Sequence, residues 1–118
     1  MIFAFDDGWK SQITYALPVL ANAGFSAVAY VNRDSIIGTN PVEMRLSDLQ
    51  ILYNNGWDIG NHTTVHDSTM ETDPETIARL TDEYRDNQNW IIESLGTRGA
   101  YHACYPSGSY QPEYIEIL

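Results

Sequence analysis

Four short segments of this chain read as strands: residues 2–5, 26–31 ("SAVAYV"), 57–62 ("WDIGNH") and 100–106 ("AYHACYP"). Each is separated from the next by a stretch with helical periodicity. Segments of this length are too short for buried helices and have the right size for strands. Strands that alternate with helices pair in parallel and are joined by right-handed crossovers. The pattern therefore predicts an α/β fold of parallel strands with alternating helices, whose ligands sit outside the C-terminal strand ends.

Chemistry-bearing residues fall at those ends. Asp6 and Asp7 follow the first strand, His62 and His66 the third, and Tyr105 to Gly108 the fourth. The first strand, apolar without alternation, is expected to be buried on both faces. Helical signals fill the gaps. Ile13, Leu17 and Leu20 form one stripe that stops at Gly24, with Pro18 marking a kink or a first turn. In "LSDLQI", Ser47 with Gln50 fits a capping box and Leu46 with Ile51 a hydrophobic staple. The clearest helix has Asp73 as its cap and Pro74 at its first position. Its buried stripe is Ile77, Leu80, Tyr84, Ile91 and Leu95, and Gly96 stands past its end. A fourth helix begins near "YQPEYIEIL".

The 118 residues suit one domain, spanning 1–118. Sixteen acidic against six basic residues give a net charge of −10, which repels nucleic acid and anionic membrane surfaces and favours neutral or cationic ligands, metal ions included. The single cysteine, Cys104, excludes an internal disulfide and a Cys-rich zinc site. No secretory hydrophobic region or membrane-spanning apolar run is present, so membrane insertion is not expected and the sequence assigns no location.

"NHTTVH" sets His62 and His66 four apart, a spacing that brings both imidazoles to one side of a helical turn or a strand-to-loop bend. Two imidazoles and a carboxylate suit Zn²⁺ or a similar divalent ion. Adjacent carboxylates repel unless a cation or hydrogen-bond donors compensate, which gives "FAFDDGW" a purpose. One aspartate binds the ion while the other takes a proton from an attacking water. The bland alternative is a solvated Asp-Asp-Gly turn. "YPSG" supplies a proline-fixed turn whose backbone N–H groups, Ser107 especially, can face an oxyanion, although such turns are common. His102 reads as a packed structural histidine and Cys104 as a small core residue. Trp9 and Tyr105 are the candidates for lining a sugar groove.

These motifs resemble those of the polysaccharide deacetylase family, which includes chitin and peptidoglycan deacetylases. "FAFDDG" is similar to its T-F-D-D-G motif, "NHTTVH" to its second, two-histidine motif, and "ACYPSG" to its third motif, R-P-P-Y-G. The resemblance covers nearly the whole chain and implies the first half of a distorted (β/α)7 barrel. It implies Asp6 as general base, Asp7, His62 and His66 as ligands of zinc (cobalt, nickel and manganese being alternatives), and the Ser107 N–H as oxyanion donor. The reaction implied is removal of N- or O-acetyl groups from a polysaccharide, in the cell envelope or outside the cell. Cys104 stands where the family has an arginine. The family's later motifs, with a histidine general acid, would lie beyond Leu118. The chain is thus expected to be C-terminally truncated, with self-association covering its open sheet edges. A non-catalytic carbohydrate- or metal-binding remnant is the alternative.

Overall fold

A computed structural model describes residues 1–118. Three parallel strands form an open sheet in the order β1 (Ala4–Phe5), β2 (Val28–Val31), β3 (Asp58–Asn61). Ala4 pairs with Val28, and β2 matches β3 residue for residue from Val28↔Asp58 to Val31↔Asn61. The expected fourth strand is reduced to a single parallel bridge, Asn61↔Ala103. The turn through Thr97 to His102, with hydrogen bonds Ala100 N–H to Thr97 O and His102 N–H to Gly99 O, uses up the backbone groups that a longer ladder needs.

β1 is an edge strand and is not buried on both faces: Ala4 is exposed, and Phe3 and Phe5 are half-buried. An apolar groove of about 470 Å³ runs beside it, lined by Phe3, Phe5, Tyr15, Val19 and Leu20 among others. The inner strand β2 alternates, with Ala29 and Val31 wholly enclosed.

After β1 the chain makes a π-helical turn, Gln12–Ala16, continued by α1 (Leu17–Asn22) with Pro18 in its first turn. Pro18 thus lies inside a continuous helical segment, directly after the wider π turn, and its missing N–H removes one bond to a carbonyl of that turn. A short helix, α2 (Arg33–Ile37), follows β2 directly. α3 (Leu46–Asn54) starts earlier than the capping box at Ser47 suggests. Arg45 is its cap, and the Arg45 N–H donates to Asp48 Oδ2 at 2.9 Å. Leu46 and Ile51 are exposed and form no buried staple.

α4 (Pro74–Ser94) matches expectation, with Asp73 Oδ1 accepting the Thr76 N–H at 3.0 Å. Its stripe of Leu80, Tyr84 and Ile91 is buried. Short 3₁₀ turns at Pro106–Gly108 and Pro112–Ile117 replace the fourth helix. The core gathers Val31, Ile36, Met44, Leu49, Leu52, Trp57, Ile59 and Ile91 between sheet and helices. Phe5 stacks on Trp57 with ring centroids 5.3 Å apart. At about 25 cal/mol per Å² of apolar surface, enclosure of such side chains is the main force on this arrangement. No helix is long and apolar enough to cross a membrane.

Candidate metal centre

The parallel register sets the ends of β1 and β3 on either side of β2, so the residues that leave them meet above the sheet. Asp7 leaves β1 in a left-handed turn (φ 68°), followed by Gly8 (φ 74°). Gly8 packs so closely that an added Cβ would meet Ile36 Cδ1 at 2.9 Å. Thr63 (φ 65°) and His66 (φ 60°) make the loop after β3 turn back. Positive φ is uncommon outside glycine; Asp and His adopt it more readily than most, whereas for the β-branched Thr63 it is costly and persists only where the surroundings impose it. Four non-glycine residues adopt it: Asp7, Thr63, His66 and Ser107. Three of them are residues singled out from the sequence.

The turns bring Asp7 Oδ1 to 3.4 Å from His62 Nε2 and 3.2 Å from His66 Nε2. All three ligand atoms lie within 4.8 Å of one another. A tetrahedral zinc ion, with bonds of about 2.0–2.2 Å, sets its ligands about 3.3–3.5 Å apart, so the spacing suits such an ion. The tautomer agrees. His62, 1% exposed, has its Nδ1 2.9 Å from the Cys104 carbonyl, which can only accept; Nδ1 therefore carries a hydrogen, and in the neutral imidazole Nε2 presents its lone pair to Asp7. Asp7 Oδ1 is itself buried and has no hydrogen-bond partner. A neutral His62 turns its Nε2 lone pair toward an unpartnered carboxylate oxygen, an arrangement that repels unless a proton or a metal cation lies between them. The residues fit a divalent metal. The outer oxygen, Asp7 Oδ2, accepts the indole N–H of Trp9 at 3.3 Å.

Asp6, next in line, is exposed, and its carbonyl accepts Gln12 Nε2 at 2.6 Å. Cys104 stands close by. Burial, and then the Asp6 carboxylate, push its thiol above the usual thiol value. Ser107 is exposed at the tip of a turn closed by Gly108 N–H to Tyr105 O at 3.0 Å. The Tyr105 ring lies in a cluster with Tyr84, Tyr110 and Tyr114. His102 is exposed and not packed, since the fourth strand that would have enclosed it does not form. Beside these three residues lies a cleft of about 280 Å³, lined by Asp7, Trp9, Asn32, Ser35, Glu43 and His66. Asn32, Ser35 and Glu43 were not legible as site residues, because each sits in a segment whose sequence signals only a loop or a helix start.

The family model described as polysaccharide deacetylase matches residues 1–118. The chain belongs to the polysaccharide deacetylase family. Several solved deacetylase structures superpose on it. The Streptococcus pyogenes deacetylase PplD in complex with acetate has a TM-score of 0.86 at 21% identity, over 98% of this chain and 50% of that one. IcaB from Ammonifex degensii has 0.86 at 22%, over 99% and 54%. The family 4 carbohydrate esterase from Streptomyces lividans in complex with acetate has 0.77 at 17%, over 99% and 56%. At such identities the likeness is one of fold, that of a polysaccharide deacetylase (β/α) barrel over the part matched. The chain spans about half the length of these solved chains. No curated protein matches it.

Proposed function

We propose that the chain carries the metal-binding part of a carbohydrate deacetylase that hydrolyses acetyl groups from an acetylated glycan. The observation that carries this reading is the convergence of Asp7, His62 and His66 on a point that Asp7 Oδ1, buried and unpartnered, leaves in need of a cation. Zinc suits the donor set, with cobalt, nickel or manganese as alternatives.

Asp7, His62 and His66 would hold a divalent ion, which would supply Lewis-acid chemistry toward the acetyl carbonyl and an attacking water. Asp6, outside the ligand set yet adjacent to it, accepts the proton of that water. The Ser107 N–H donates to the oxyanion as the carbonyl carbon becomes tetrahedral. Trp9 does two jobs: its indole N–H orients Asp7 and its exposed ring offers a sugar a stacking face. Tyr105 is the second aromatic side chain proposed to contact the sugar. Residues 1–118 are part of a single deacetylase-like domain of this enzyme, which acts on glycans in the envelope or outside the cell, and a second copy of the chain covers the open sheet edge.

Acetate release from an acetylated chitooligosaccharide, with added zinc and with a chelator, tests the reading. Zinc-dependent release supports it. Zinc and glycan binding without release would favour a non-catalytic remnant, the reading to which Cys104, in place of the family's arginine beside Asp6, lends support.

A further inference from the structure

Arg79, Glu83 and Asn87 are spaced four apart on α4 and so lie along one side of the helix. Each engages a different residue of the segment that carries the two histidines. Asn87 is completely buried. Its Nδ2 donates to Asn61 Oδ1 and to the Val31 carbonyl, both at 2.8 Å, and its Oδ1 accepts the Arg33 N–H at 2.9 Å. One side chain thus ties α4 to the ends of β2 and β3 and to the start of α2. Asn61 answers by donating from its own Nδ2 to the Tyr84 carbonyl at 2.7 Å. One turn back, Glu83 Oε2 accepts the Thr64 N–H at 3.0 Å. A further turn back, Arg79 pairs with the Asp67 carboxylate.

The anchored residues, 61, 64 and 67, bracket His62 and His66, and between them lie the positive-φ residues Thr63 and His66. A buried polar network is stabilising only when its members are satisfied, and an apolar stripe would have packed α4 against the sheet at less risk. Packing alone therefore does not account for these residues. Backbone strain in the loop, by contrast, requires something to impose it.

We propose that Arg79, Glu83 and Asn87 are positioning residues: together they hold His62 and His66 at metal-binding spacing before any ion arrives. The inference rests on the metal reading above. It predicts that the cost of losing a member appears in metal affinity, because an unheld loop must be reordered by the ion itself.

The test measures zinc affinity by competition with a chromophoric chelator, and cobalt absorption spectra, for wild type, Glu83→Ala, Glu83→Gln and Asn87→Ala. Leu80→Ala serves as control: Leu80 is a buried residue of the same helix and makes none of these bonds. Zinc affinity should fall about tenfold in Glu83→Ala and in Asn87→Ala, with an altered cobalt spectrum. Glu83→Gln, which keeps an acceptor for Thr64, should recover most of the loss. Leu80→Ala should lower Tm and leave zinc affinity unchanged. Should Asn87→Ala fail to fold, the half-buried Glu83 pair decides the matter. Unchanged zinc affinity in Glu83→Ala, or a loss that only follows Tm and appears equally in Leu80→Ala, would overturn the positioning role while leaving the metal reading intact. A wild-type chain that binds no zinc would overturn both.

Discussion

Asp7 Oδ1 lies 3.2 Å from His66 Nε2 and 3.4 Å from His62 Nε2, with no hydrogen-bond donor to satisfy it. Two strand ends that the sheet register holds side by side supply these atoms. The aspartate comes from one end, and the histidines come from a loop forced into left-handed backbone at two positions. The closeness is thus a property of the topology, and it uses residues far apart in sequence.

Asp6 and Asp7 are neighbours with different duties in this account, and Asp6→Asn separates them. It should leave zinc affinity as in wild type and lower kcat for acetate release about 10²–10⁴-fold, the usual size of a general-base contribution. Equal losses of metal and activity would place Asp6 among the ligands.

Gly99 supports the strand that delivers His62. Its φ is 85°, and an added Cβ would meet the backbone N and O of Ile59 at 2.7 and 2.8 Å. Ile59 lies in β3, whose backbone is held in register by its pairing with β2 and cannot step aside. Gly99→Ala should therefore destabilise the fold by about 1–3 kcal/mol, read by denaturant unfolding. Gly24→Ala is the comparison. Its φ is 78°, but nothing lies within 4 Å of its added Cβ, so the loss there should be smaller.

Asp73 caps α4, whose polar side faces the histidine loop. Hydrogen bonds from the Thr76 hydroxyl and then its N–H hold the Asp73 carboxyl below its ordinary value of 3.8. A carboxyl lowered by folding stabilises the native state above its ordinary value, and that contribution is lost as the pH falls through the lower, folded value. Asp73→Ala should thus lower Tm at pH 7, and the difference from wild type should shrink as the pH falls below 3.8. A gap that persists unchanged in acid would mean that the cap acts other than through its charge.

Much of this was legible because it depends on local chemistry. Apolar runs ending in Asp-Asp-Gly and Asn-His located the strand ends, and Asp73-Pro74 with a 3.6-residue stripe located α4. What escaped depends on neighbours in space. The run "AYHACYP" has strand composition, but the turn at Gly99 leaves it one bridge. α2 has five residues, too few to carry a period. Asn87 was passed over because it is polar, although it falls in the gap between Tyr84 and Ile91 where the helical period calls for a buried residue. A polar residue at such a position was the available signal for the network that ties α4 to the histidine loop.

The central claim is that Asp7, His62 and His66 bind one divalent ion, and metal content measured with calorimetry tests it most directly. Wild type, His62→Ala and Asp7→Asn are compared after zinc loading and removal of excess. The account predicts one zinc per wild-type chain and loss of tight binding in both variants, with each variant still folded. Zinc absent from the wild type, or retained at full affinity in either variant, would contradict it.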